Sequence, residues 1–331
     1  MKTTTTMNPS DAVHARSGEG MRHLVALEGV SGGQITAWLD RAEEFLAGGD
    51  VPAAVPRTAL AGRIVAMIFM EDSTRTRLSF EVATLRLGGG VIAATAAGSS
   101  VSKGESLLDT ARNLAAMGVD AVVIRSAASG GSSLVSARLG LPVINAGDGR
   151  HEHPTQGILD LLTLRRALGD LRGCRVGIVG DVANSRVARS NLHGLLAVGA
   201  QPVLIGPPTL LPPELGHGPV GRRAEIAADF DAVLPSLSAV IMLRMQRERA
   251  AGDAVATDYP RGYRLDRRRA RLLPSGAPIL HPGPVNRGYE IDPEVADDPR
   301  RSLVLRQVGH GVAVRMAVLE WLLEPRANAA R

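Results

Sequence analysis

Ser73, Thr74, Arg75, Thr76 and Arg77 put three hydroxyls and two guanidinium groups on consecutive residues. An apolar run, residues 64–70, precedes them. Leu78, Val82, Leu85 and Leu87 follow at helical spacing. The group therefore sits where a buried strand runs into the mouth of a helix. A helix N-terminus already carries unpaired N–H groups and a positive dipole end, so arginines there are unfavourable unless an anion balances them. Hydroxyls add neutral donors, and Arg75 can make a charge-assisted bidentate contact with phosphate. Arg77 stands one helical turn before Glu81, which predicts a surface pair between them. The stretch reads as a phosphate cradle. The plainer alternative is a serine-capped helix with solvated arginines.

Other chemistry-bearing residues also fall where strands should end. Arg125 closes an apolar run, where it either faces a cleft or pairs with a carboxylate. The segment DGRHEHPTQ, residues 148–156, contains His151 and His153 at i, i+2 with no partner cysteine, which is not the i, i+4 pattern of a helical zinc site. A helix starting at Pro154 is the better reading. It places His153 at the start, where an imidazole can donate to a carbonyl oxygen as negative charge develops on it. Gln156 points the same way. Residues 177–189, GIVGDVANSRVAR, resemble a dinucleotide loop but lack GxGxxG, so no nucleotide cofactor is expected. Arg186 and Arg189 again stand at a helix mouth. MLRMQ ends a strand with Arg244 and Gln246. HPGP, residues 281–284, has a stiff backbone whose carbonyls can accept from an amine or amide. A phosphate in the first half and a carboxylate-bearing partner in the second, reacting with each other, fits this set. Neither metal nor organic cofactor is required.

Alternating apolar runs and helical periodicities must position these groups. Helices are predicted over 33–46, 76–87, 105–117, 132–139, 154–168, 185–198, 229–237 and 303–323. Strands are predicted over 64–70, 91–94, 121–124, 142–145, 175–179, 202–205, 239–243 and 278–280. The alternation restarts after residue 173. It predicts an α/β protein of two doubly wound domains, each a mostly parallel sheet with helices on both faces. The expected boundaries are a disordered tail over 1–20, a first domain over 21–152 plus 308–331, and a second over 153–307. Met7 or Met21 are alternative starts. Ligands of such sheets bind beyond the carboxyl ends of the strands, where the motifs lie.

Composition narrows the class. At 331 residues the chain is long enough for two domains. No apolar stretch approaches the roughly 18 residues of a spanning helix, and residues 1–20 have no signal-peptide core. The single cysteine, Cys174, excludes a disulfide framework and fits a reducing cytoplasm. Net charge is +5, but aromatics are only 3%, and the basic residues match no nucleic-acid module, so nucleic acid is not an expected partner. The dense basic cluster over 264–271 reads as a solvated helix face. All but two of the 38 basic residues are arginine. Lys103, in a Gly/Ser-rich loop, therefore suits a task for a compact, mobile ammonium, unless it is a chance surface residue.

Taken in order, STRTRLSFE, SSVSKGES, VIR, HEHPTQ, NSRVARSN, LRMQRER and HPGPVNRG resemble the aspartate/ornithine carbamoyltransferase superfamily. Within it they are most similar to the aspartate carbamoyltransferase catalytic chains. The likeness runs from about residue 60 to 320. STRTR and HPTQ are shared with the ornithine enzymes. The SxxxK loop, Met-Gln after Arg244, and HPGP in place of HCLP separate the two. The resemblance implies transfer of a carbamoyl group from carbamoyl phosphate to L-aspartate in pyrimidine biosynthesis. It implies that Ser73, Thr74, Arg75 and Thr76 hold the phosphate, and that Thr76, Arg125 and His153 polarise the carbonyl. Gln156 with the carbonyls of Pro282 and Gly283 would take the NH2 group. Arg186, Arg244, Gln246 and Lys103 would hold aspartate. Ser99 and Lys103 would come from a neighbouring subunit of a cytoplasmic homotrimer, extended to a dodecamer if dihydroorotase or a regulatory chain joins. Three residues depart from the common pattern: Asn184 and Ser126 stand where histidine is usual, and Gly283 where some members have leucine, a swap expected to leave that backbone contact intact. The rival readings are a carbamoyltransferase for another amino acid, a non-catalytic scaffold, and a nucleotide-binding regulator.

Overall fold

A computed structural model describes residues 21–54, 57–95, 104–216, 224–245 and 253–324. The chain divides into two compact units. Unit 1 contains residues up to 30, 41–155 and from 312 onward; unit 2 contains 31–40 and 156–311.

Unit 1 is built on four parallel strands in the order β2-β1-β3-β4. They are β1 (Ile64–Phe69), β2 (Gly90–Thr95), β3 (Ala121–Ser126) and β4 (Val143–Asp148). Parallel strands covered on both faces read as continuous apolar runs. Accordingly, β1 is buried from Val65 to Phe69 and β4 over its whole length. The chain leaves β1 for β2 and then returns past β1 to β3. Right-handed crossovers therefore place the intervening helices, α2 (Thr74–Arg86) and α3 (Leu107–Ala116), on opposite faces. That reversal makes the carboxyl ends of β1 and β3 a topological switch point. The outer side of β4 is covered by residues near Leu24, whose N–H donates to Val143 O at 2.9 Å while its carbonyl accepts from Asn145 N at 2.8 Å. Val25, Ala66, Ile68, Val122, Ile124 and Val143 form the core. Arg315, in the last helix α11 (Val304–Leu323), lies under this unit with its guanidinium 4.9 Å from the Phe80 ring centroid of α2, a cation–π contact that fixes the helix behind the arginines.

Unit 2 carries five parallel strands in the order β7-β6-β5-β8-β9. They are β5 (Arg175–Val179), β6 (Gln201–Ile205), β7 (Glu225–Ala227), β8 (Ala239–Met242) and β9 (Ile279–Leu280). Here the order reverses at β5, so its carboxyl end and that of β8 form the second switch point. Gly177 is a strand residue: a Cβ on it would stand 2.7 Å from Leu237 Cδ1, so it is required for packing rather than for a phosphate. β7 was not expected; it is a short, largely exposed edge strand. Two further helices, α8 (Asp253–Tyr263) and α10 (Pro293–Ala296), are also additions.

One expectation is corrected. The basic cluster lies on α9 (Arg267–Leu272), but that helix is not simply a solvated face. Arg269 is buried: its Nε donates to Asp231 at 2.6 Å, Nη1 to Arg264 O at 2.8 Å and Nη2 to Arg261 O at 2.9 Å. Each of its three nitrogens thus donates to an acceptor, which is what makes a buried guanidinium tolerable.

Candidate active site

The phosphate-type groups of unit 1 gather around the switch point. Ser73 is the N-cap of α2, yet its hydroxyl makes no capping bond, so the serine-capped reading does not hold. Thr74 and Arg75 are exposed, Ser73 is half-buried and Thr76 is buried. No acidic residue occupies the first turn to neutralise the dipole. Arg77 is drawn aside as its spacing predicts, pairing with Glu81 at 3.1 Å.

Two distant segments meet Thr76. Its Oγ1 lies 3.5 Å from His153 Nε2, and both side chains are buried. That separation is longer than a strong hydrogen bond, so each side chain can still direct a proton to a third atom. Arg125 is in register with Phe69, and its carbonyl accepts from Met70 N at 2.9 Å, which sets it beside the β1 exit. Its Nη1 donates to Ala146 O at 3.2 Å and its Nε stands 3.6 Å from Glu71 Oε2. Of the two sequence readings of Arg125, the carboxylate neighbour is present, and the residue stands next to the end of β3 at the switch point.

The loop that delivers His153 is a buried polar network. Asp148 Oδ2 accepts from Gly130 N at 2.7 Å and its Oδ1 from Asn145 Nδ2 at 2.8 Å. His151 Nδ1 is 3.1 Å from both Asp148 oxygens. Burial alone would raise the Asp148 carboxyl, but its bonds to His151 and Asn145 outweigh that and hold it below the ordinary carboxylate range. Conversely, the bond to Asp148, against burial, pushes His151 above the ordinary imidazole value. Glu152 accepts from Leu27 N at 2.8 Å and Glu28 N at 3.0 Å. Two of the three residues in His-Glu-His thus have structural partners, and the third, His153, faces Thr76.

In unit 2, Arg186 opens α6 (Arg186–Ala197) just beyond β5 and is buried. Arg244 follows β8, the strand paired with β5, and Leu243 N donates to Val179 O at 2.8 Å. Both arginines hence stand at the carboxyl ends of adjacent strands. The turn after Arg244 is anchored by buried Glu290, which accepts from Met245 N at 2.9 Å and from Asn286 Nδ2 at 2.6 Å. Asn184 donates to Asp181 Oδ1 at 2.9 Å, a local turn contact.

Gln156 and the HPGP turn belong to one chain of hydrogen bonds. Gln156 Nε2 donates to Asp160 Oδ1 at 2.9 Å, Gln307 Nε2 donates to the same oxygen at 2.7 Å, and Asn191 Nδ2 donates to Oδ2 at 2.8 Å. Gln307 Oε1 in turn accepts from His281 N at 2.9 Å, and His281 Nδ1 accepts from Gly283 N at 2.8 Å. An Nδ1 that accepts places the neutral imidazole proton on Nε2. Gly283 has φ +61, a conformation in which a leucine would carry strain. Asp160, Gln307 and His281 were not expected to matter. The one available signal was an acid one turn after Gln156, set between Leu159 and Leu161 in the apolar middle of the helix.

Ser99, Lys103, Gln246 and the 1–20 tail lie outside the described residues. Among the described residues, no helix is long and apolar enough to cross a membrane.

Comparison with known proteins finds two consecutive family models, whose boundary falls between residues 166 and 172 and not at 155/156. A family model described as aspartate/ornithine carbamoyltransferase, carbamoyl-P binding domain, matches residues 22–166. Its companion, the Asp/Orn binding domain, matches residues 172–322. A protein of Myxococcus xanthus (strain DK1622), named aspartate carbamoyltransferase catalytic subunit, is 50% identical over 304 residues, covering 91% of this chain and 99% of that one. The solved catalytic subunit of M. jannaschii aspartate transcarbamoylase superposes with a TM-score of 0.76 at 33% identity, over 92% of this chain and 98% of that one. Aspartate transcarbamoylase of Trypanosoma cruzi, solved with carbamoyl aspartate and phosphate, gives 0.78 at 29% identity, over 93% and 97%.

Proposed function

This chain belongs to the aspartate/ornithine carbamoyltransferase family, and from that membership we propose that it transfers the carbamoyl group of carbamoyl phosphate to the α-amine of L-aspartate. The products are N-carbamoyl-L-aspartate and phosphate, an early step of de novo pyrimidine synthesis. Identity to aspartate rather than ornithine enzymes supports the choice of amine. The observation that carries the reading is the buried pairing of Thr76 with His153 beside the uncapped α2 mouth.

The chemistry needs positioning and charge stabilisation. The amine attacks the acyl carbon, the carbonyl oxygen becomes an oxyanion, and the C–O bond to phosphate breaks with its electron pair leaving on phosphate, which can accept the amine proton. Ser73, Thr74, Arg75 and Thr76 hold the phosphate. Thr76, Arg125 and His153 stabilise the oxyanion, a role worth about 3–4 kcal/mol per donor. Gln156 and the carbonyls of Pro282 and Gly283 take the carbamoyl NH2. Arg186, Arg244 and Gln246 hold the aspartate carboxylates. The first domain is the carbamoyl phosphate domain and the second the aspartate domain.

Ser99 and Lys103 of a neighbouring copy complete the site, which makes a cytoplasmic homotrimer the working unit. Sedimentation velocity of the wild type tests this, with a trimer expected and a monomer with full activity contradicting it. The function itself is tested by colorimetric assay of purified protein with carbamoyl phosphate and either aspartate or ornithine. Ureido product with aspartate alone is expected; product with ornithine alone overturns the assignment.

A further inference from the structure

The structure assigns to Asp160 the role of a positioning residue that sets the hydrogen-bond polarity of the carbamoyl-amine corner, an inference that rests on the transferase reading above. Asp160 is wholly buried in α5 (Pro154–Leu168). It receives side-chain amides from three places: its own helix (Gln156), α6 (Asn191) and α11 (Gln307). An amide could present either end to a neutral partner, but a carboxylate can only accept. Asp160 therefore forces Gln156 to turn its NH2 inward, which leaves the Gln156 carbonyl oxygen as the end that can meet a ligand.

The same carboxylate reaches the HPGP turn. Gln307 is buried and uses both ends of its amide: its NH2 on Asp160, its oxygen on the His281 N–H. His281 then accepts the Gly283 N–H on Nδ1. Pro282 and Pro284 have no N–H, so the backbone from 282 to 284 has no donor left to offer a ligand. Both segments assigned to the carbamoyl NH2 are thereby turned to offer acceptors, and one buried carboxylate links them. A corner of this kind selects N–H over C–H, because a methyl in place of NH2 leaves polar acceptors unmatched.

A pair of stable ligands reads this polarity without turnover. Phosphonoacetamide carries phosphonate, carbonyl and NH2; acetonylphosphonate carries CH3 in place of NH2. Calorimetric titration of the wild type should give phosphonoacetamide the tighter binding by roughly 10- to 100-fold. In Asp160→Asn, with fold and trimer checked by circular dichroism and sedimentation, that ratio should fall to within about threefold of unity, while acetonylphosphonate binding stays nearly unchanged. Gln307→Met, which cuts only the arm to the HPGP turn, should lower the ratio partway, and is read in place of Asp160→Asn if that variant does not fold. Should a folded variant keep the wild-type ratio, or weaken both ligands equally, Asp160 is only a packing element and the inference is overturned. If the wild type binds neither phosphonate, the transferase reading itself fails and the inference falls with it.

Discussion

Thr76 Oγ1 lies 3.5 Å from His153 Nε2 although 77 residues separate them in sequence, and both side chains are buried. The contact joins the first turn of α2 to the residue just before α5, and it places a hydroxyl and an imidazole next to a helix end that carries no acid. Replacing His153 with alanine should lower kcat with carbamoyl phosphate and aspartate by about 10²–10³, the cost of one oxyanion donor. Steady-state rates at saturating substrates check it, and an unchanged kcat removes His153 from the chemistry.

Arg244 stands on the unit that carries Arg186, at the exit of β8. Arg244→Ala should chiefly raise the apparent KM for aspartate, since a charge-assisted contact to a carboxylate is lost while the phosphate cradle is untouched. Initial-rate kinetics with each substrate varied in turn separate the cases. A change confined to the carbamoyl phosphate KM would reverse the two substrate assignments.

The His151–Asp148 pair makes stability depend on pH in a defined direction. Asp148 is held low, so its contribution is present above the ordinary carboxylate range and lost as pH falls through its folded value. His151 is held high, so its contribution is full below about pH 6.5 and lost as pH rises through its folded value. His151→Gln should therefore destabilise the protein more at about pH 5.5 than at about pH 9. Urea denaturation at the two pH values measures the difference, and equal losses would mean that the pair is not charged in the folded state.

Arg268 and Arg269 are neighbours in sequence but differ in burial, with side-chain exposures of 54% and 7%. Arg268→Ala should leave the stability close to that of the wild type. Arg269→Ala should cost about 2–3 kcal/mol, because it leaves Asp231 Oδ1 and two backbone carbonyls without their donor, Arg268 still holding Asp231 Oδ2. Chemical denaturation of both variants compares them directly.

That contrast marks the limit of what sequence alone could provide. Buried parallel strands announce themselves as continuous apolar runs, so β1, β3, β5 and β8 were legible, as was the 154–168 helix from its proline. β7 was not, because a short exposed edge strand has neither length nor alternation. α8 was obscured by Pro260 inside it. The partners of Arg269 lie as much as 38 residues away in the chain, and no local pattern encodes them. In the candidate site, residue types at strand ends pointed to Thr76, Arg125 and His153. The Asp160 network escaped notice because its donors come from three separate helices, and only the fold assembles them.

The most direct test of the whole reading uses a single molecule that carries both substrates' anions, N-(phosphonoacetyl)-L-aspartate. On the proposed reading its affinity for the wild type should exceed that of phosphonoacetamide or succinate alone by several orders of magnitude, because one ligand would then satisfy both groups of anion-binding residues. Arg75→Ala and Arg244→Ala should each remove most of that gain. Affinity no better than the tighter fragment would contradict a shared site for a phosphorylated acyl donor and a dicarboxylic amine.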